Sequence, residues 1–126
     1  MRILLVDDDV FLRDMYATKF TECGHEVQAV DQAETALTTM RGGDEFDVVL
    51  VDMVMPGMTG SVLLQTMKDE GLASKAMWIV LSNQGQQADI NEALEAGASS
   101  YIIKAEHVPS EVVSKVESLH ADYKKK

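Results

Sequence analysis

Ile3-Leu4-Leu5-Val6-Asp7-Asp8 is an apolar run without alternation that stops on paired carboxylates. Three later segments repeat the pattern: Val48-Val49-Leu50-Val51 stops on Asp52, Trp78-Ile79-Val80-Leu81 on Ser82, and Tyr101-Ile102-Ile103 on Lys104. Short β-rich runs that do not alternate read as strands buried on both faces, as in a parallel sheet. Open sheets of that kind bind ligands beyond the carboxyl ends of their strands. The four strand ends therefore bring Asp7, Asp8, Asp52, Ser82 and Lys104 to one place.

Between these runs lie segments of helical period, so strands and helices alternate along the chain in the α/β pattern. Leu12, Met15, Tyr16, Phe20 and Cys23 recur at helical spacing, and Gly24 is placed to end that helix. Residues 25–30 form a second, weaker strand. Asp31-Gln32-Ala33-Glu34 reads as a capping box, with Asp31 at the N-cap, opening a helix that Gly42-Gly43 closes. The third strand covers 46–51, and Pro56-Gly57 forces a loop before a helix over 61–70. A fourth strand over 76–81 leads through a polar connection to a helix carrying Ile90, Ala93 and Leu94 and ending near Gly97. After a fifth strand, 101–103, Pro109 suits the first turn of a last helix with Val112, Val113, Val116 and Leu119 on its apolar face. Trp78 reads as core.

The 126 residues suit one domain with a proper core, expected over 1–122, with 123–126 as a basic tail ending in Lys124-Lys125-Lys126. No apolar stretch approaches the roughly 20 residues that span a bilayer, and the first strand leaves no room for a signal peptide, so the expected compartment is the cytoplasm. A net charge of −10 argues against direct binding to nucleic acid or anionic membrane. Cys23 is the one cysteine, which excludes a disulfide framework and reads as a buried, inert thiol. His25, His107 and His120 have no metal-ligand spacing with it.

One of Asp7, Asp8 or Asp9 can simply cap the first helix, and on their own these residues support that reading as well as a functional one. Asp52 shifts the balance. Three carboxylates in one cleft do not ionise together comfortably, so a pKa rises or a cation joins them. An all-oxygen donor set in a wet cleft selects a hard ion, and Mg²⁺ takes one or two carboxylates while keeping waters. An aspartate can accept a phosphoryl group when the charge in transfer is neutralised, which Lys104 and the metal could do. Ser82 could donate its hydroxyl to a phosphoryl oxygen. Met53, Met55 and Met58 beside Asp52 read as packing residues.

Leu5-Val6-Asp7-Asp8, the segment from Asp52 to Gly60, and the run from Ala96 to Lys104 together resemble the response-regulator receiver family of two-component signalling, over essentially the whole chain. The resemblance implies a doubly wound, flavodoxin-like (βα)5 fold with a five-stranded parallel sheet in the order 2-1-3-4-5. It implies that Asp52 is the phosphoacceptor and that Asp7, Asp8, Asp52 and the backbone carbonyl of Val54 hold Mg²⁺. Ser82 and Lys104 would contact the phosphoryl group, and Tyr101 would be the aromatic switch that turns inward as Ser82 moves. The implied donor is a histidine kinase or a histidine phosphotransfer protein. The output partner, unknown in identity, would use the face of helix 4, strand 5 and helix 5, and a phosphorylation-dependent dimer is compatible with it.

Two positions depart from the family pattern. Ala105 stands where the family usually has a proline after the lysine, often in cis; without proline a cis bond costs about 2.5–4 kcal/mol, so a trans bond and a rerouted loop over 105–108 are expected. Asn83 is larger and more polar than the usual small residue after the serine. Asp7-Asp8-Asp9-Val10 also resembles the D-x-D-x-V opening of haloacid-dehalogenase-type phosphatases, which would make Asp7 a nucleophile, but Asp52 and its Met-Pro-Gly loop then go unexplained. A receiver-like module that binds constitutively, without phosphorylation, is the third reading.

Overall fold

Ile3 to Val6, Val48 to Val51 and Ile79 to Leu81 are each at most 1 % exposed, which is why their sequences do not alternate: both faces of the central strands are covered. The computed structural model describes residues 1–125; Lys126 lies outside them. The elements run β1 (Arg2–Val6), α1 (Val10–Glu22), β2 (Glu26–Val30), α2 (Ala33–Arg41), β3 (Val48–Val51), α3 (Gly60–Glu70), β4 (Met77–Ser82), α4 (Gln87–Glu95), β5 (Ser100–Ile103) and α5 (Pro109–Lys124). All strand pairs are parallel, in the order β2-β1-β3-β4-β5. The order expected from the sequence is therefore the one observed.

Side chains divide between the two faces with period two along each strand. Leu4, Val6, Val49, Val51 and Val80 meet Ala36, Leu37, Leu63, Leu64, Met67 and Ala93 from α2, α3 and α4. Ile3, Leu5, Val48, Leu50, Ile79, Leu81 and Ile102 meet Tyr16, Phe20, Val112, Val113 and Val116 from α1 and α5. Pairing of Val6 with Val51, and of Val51 with Val80, keeps the carboxyl ends of β1 and β3 level, while β4 runs two residues further to Ser82. The residues that follow these strands consequently share one edge of the sheet.

Several local expectations fail. Asp31 does not cap α2: the N-cap is Gln32, in extended conformation and with no side-chain bond to the helix. Burial of Ala33, Ala36, Leu37 and Met40 against the sheet sets where α2 begins, one residue later than the capping box would put it. Cys23 is exposed, because it is the C-cap of α1, beyond the stripe that buries Tyr16 and Phe20. Leu94 on α4 is also left exposed, and Ala93 alone of that helix is buried.

Trp78 is only partly buried, packing beside the core while its indole N–H donates to the Ala73 carbonyl at 2.9 Å. The division expected after residue 122 falls within α5, where the Tyr123 hydroxyl donates to the Ala76 carbonyl at 3.3 Å. No cis peptide bond occurs among the described residues, so Lys104–Ala105 is trans, and a 3₁₀ turn over Lys104–Glu106 leads toward α5. Among these residues no helix is long and apolar enough to cross a membrane.

Candidate functional site

Asp7 follows β1 directly, and its amide continues the ladder by donating to the Val30 carbonyl at 3.1 Å. Its Oδ1 accepts the Asp9 amide at 3.0 Å, while Asp9 is the N-cap of α1 and accepts the Leu12 amide at 3.0 Å. The three consecutive aspartates thus divide their work: Asp9 caps, Asp7 is turned into the sheet edge at 1 % exposure, and Asp8 stays exposed. The capping reading of the acidic run holds for Asp9 alone.

Asp52 follows β3, with its amide donating to the Val6 carbonyl at 3.0 Å and its Oδ1 accepting the Val54 amide at 3.1 Å. Val54 itself projects its side chain outward, while Met53 and Met55 are buried and Met58 partly so, as packing residues would be. Gly60 closes the loop: its amide donates to the Met53 carbonyl at 3.0 Å. A Cβ there would run into the Asp52 carbonyl and would lie 2.8 Å from the Met53 Cα, so only glycine lets α3 start this close to β3.

Lys104 reaches across from the end of β5. Its Nζ donates to Asp7 Oδ2 at 2.6 Å and to Asp52 Oδ2 at 3.1 Å, bonds whose partners are 97 and 52 residues away in the chain. Asp7, Asp8 and Asp52 each offer a carboxylate oxygen, all within 4.8 Å of one another. Burial pushes the Asp7 carboxyl above its ordinary value despite the Lys104 hydrogen bond. Burial alone would lower the Lys104 ammonium, but its bonds and charge pairing with Asp7 and Asp52 outweigh it and hold the group above its ordinary value. The causes differ: desolvation dominates at Asp7, whereas at Lys104 the bonds and charges of Asp7 and Asp52 outweigh it, and three clustered carboxylates face this one ammonium.

That surplus of negative charge suits a divalent cation. The donors are all carboxylate oxygens, the set preferred by Mg²⁺ or another hard ion, and exposed Asp8 faces water that such an ion would retain. Val54 is tied to Asp52 through its amide, which keeps that stretch of backbone beside the carboxylates.

Ser82 and Tyr101 meet at the loop between β4 and α4. Ser82 is 1 % exposed, and its Oγ accepts the Gln84 amide at 3.3 Å. The Tyr101 hydroxyl donates to the Gln84 carbonyl at 2.6 Å. Burial, with the carboxylates of Asp89, Asp52 and Glu92 nearby, pushes the Tyr101 phenol up, so it remains a donor. Gly85 lies under Ile103, whose Cδ1 would stand 2.8 Å from an added Cβ. The loop is therefore fastened at Gln84 and packed at Gly85.

The site thus assembles Asp7, Asp8, Asp52 and Lys104 as the sequence implies, with Ser82 and Tyr101 joined through Gln84 beside it. Two contributors went unnoticed in the sequence: the Gln84 backbone, which carries no side-chain signal, and Arg13, whose Nη1 donates to the Asp7 carbonyl at 3.0 Å. A cation in the first turn of a helix, against the macrodipole, was the available clue for Arg13. The phosphatase alternative loses its footing, since its motif needs valine where Phe11 stands.

Comparison with known proteins agrees with this geometry. The model of the response regulator receiver domain matches residues 3–117. The two-component response regulator PhoP of Pseudomonas aeruginosa is 34 % identical over 104 residues, covering 82 % of this chain and 45 % of that protein. Chemotaxis protein CheY-3 of Vibrio cholerae is 32 % identical over 105 residues, covering 82 % of this chain and 80 % of that one. The chain spans less than half the length of the Pseudomonas relative, and about 15 % of the rice response regulator ORR22. Among solved structures, a CheY-like receiver domain protein from Methanospirillum hungatei superposes with a TM-score of 0.88 at 26 % identity, covering 98 % of this chain and 96 % of that one. The chain belongs to the response regulator receiver domain family of two-component signalling.

Proposed function

We propose that Asp52 is the phosphoacceptor of this receiver. The observation that carries the reading is the Lys104 ammonium held between Asp7 and Asp52, beside a cluster of carboxylates fit for a divalent cation. A carboxylate oxygen of Asp52 bonds to phosphorus as the P–N bond of a donor phosphohistidine breaks, and the electron pair leaves on the imidazole nitrogen. The donor is a histidine kinase or a histidine phosphotransfer protein. Bound Mg²⁺, held by Asp7, Asp8, Asp52 and the Val54 carbonyl, would neutralise charge on the group in transfer. Lys104 supplies a mobile point charge that leaves its carboxylates for the new phosphoryl oxygens.

Phosphorylation adds about −1.5 to −2 charge, enough to bias a loop that has two arrangements. Ser82 turns its hydroxyl toward the phosphoryl group, which removes the acceptor of the Gln84 amide and releases Tyr101 to turn inward. The consequence is a changed α4–β5–α5 face, where an output partner or a second phosphorylated copy binds. The chain acts as a switch in the cytoplasm, and its chemistry is limited to its own phosphorylation and dephosphorylation. The deciding experiment is intact mass after exposure to acetyl phosphate and Mg²⁺. One added phosphoryl group, absent in Asp52→Ala, is expected; an unmodified wild-type chain would leave the constitutive binding module as the better reading.

A further inference from the structure

We infer that Arg13 is a positioning residue for the metal site, holding the Asp7-Asp8 peptide so that Asp8 faces the other two carboxylates. The inference rests on the metal-site reading above. Arg13 belongs to the first turn of α1, where the helix dipole disfavours a cation and where no acidic residue accompanies it. Its side chain does not point away into solvent. It folds back six residues, half-buried, and Nη1 donates to the Asp7 carbonyl at 3.0 Å.

That carbonyl belongs to the peptide linking Asp7 to Asp8, so its direction sets where the Asp8 side chain leaves the backbone. The other ties of the turn are Asp7 N–H to the Val30 carbonyl, Lys104 Nζ to Asp7 Oδ2, Asp9 N–H to Asp7 Oδ1 and Leu12 N–H to Asp9 Oδ1, and none of these four is made to the Asp7–Asp8 peptide group. Arg13 thus joins the helix body to the backbone between two of the three clustered carboxylates. Groups that orient ligands without touching the ion commonly change metal affinity by tenfold or more when removed. Charge alone would act the other way, since deleting a cation beside a cation site tightens binding. The two effects have opposite signs, which makes them separable.

The test compares wild type, Arg13→Met and Arg13→Lys. Methionine keeps the apolar stem and preserves the packing of α1, while lysine keeps a donor of similar reach. Mg²⁺ affinity of the unphosphorylated protein is measured by isothermal titration calorimetry, and phosphorylation by acetyl phosphate is followed as a function of Mg²⁺. Arg13→Met is expected to weaken Mg²⁺ binding by about tenfold. It should raise the half-saturating Mg²⁺ for phosphorylation by the same factor and leave the rate at saturating Mg²⁺ within about twofold, and Arg13→Lys should recover most of the loss. Unchanged or tighter Mg²⁺ binding in Arg13→Met overturns the inference while leaving the site reading intact. A wild-type protein that binds no Mg²⁺ overturns both.

Discussion

Lys104 Nζ stands closer to Asp7 than to Asp52, at 2.6 Å against 3.1 Å, so without a phosphoryl group its shorter bond is to the carboxylate that is not proposed as acceptor. Asp7 is nevertheless under-compensated, because burial opposes its charge more than the lysine supports it. The arrangement favours a function over stability: carboxylates that repel one another are kept where a cation can use them.

The first prediction follows from that imbalance. A carboxyl whose folded pKa lies above its unfolded value near 3.8 contributes stability at low pH, which is lost as pH rises through the raised value. At neutral pH the penalty is fully present, and Asp7→Asn should raise metal-free stability. Near pH 3 the difference should vanish. Thermal melts at both pH values in EDTA check this, and equal melting temperatures at pH 7 would contradict it.

Asp8 should behave differently, because it is exposed and, among the described residues, has no lysine partner. Asp8→Ala is expected to alter stability by less than about 0.5 kcal/mol, as surface substitutions do. It should abolish Mg²⁺ binding and, with it, phosphorylation. Undiminished Mg²⁺ binding in calorimetry would remove Asp8 from the ligand set.

Tyr101→Phe deletes the hydroxyl that fastens Gln84 and keeps the ring. A typical hydrogen bond contributes about 0.5–1.5 kcal/mol, so the loop between β4 and α4 should open more often by that margin. Faster amide exchange over residues 83–87 is the expected readout, with phosphorylation of Asp52 unaffected. If the exchange of those amides is unchanged, the Tyr101–Gln84 bond does not hold the loop.

Gly60→Ala places a methyl against the Asp52 carbonyl and the Met53 Cα, both backbone atoms that cannot rotate away. Forced shifts of this kind cost about 1–3 kcal/mol. The variant should lose that much in urea unfolding and should phosphorylate more slowly, since the shift begins at Asp52 itself. Wild-type stability would mean that α3 can retreat without strain.

What was legible from residues alone is what local pattern and burial control. The strand runs announced themselves because central parallel strands are apolar on both faces, and their polar endings marked the site before any contact was known. Pro109 at the first position of α5 and Gly24 after α1 were equally readable, being backbone requirements of single positions. The division of labour among Asp7, Asp8 and Asp9 was not, since three identical side chains in a row differ only in where the turn points them. Asp31 and Cys23 misled for a related reason: capping and burial depend on where the sheet lets a helix begin and end. Gln84 acts through its backbone carbonyl, which has no sequence signature, and Arg13 acts on the Asp7 carbonyl, its one clue being its charge in the first turn of α1. The pairing of Lys104 with Asp7 spans 97 residues, and only assembly of the sheet brings one ammonium within reach of both acidic strand ends.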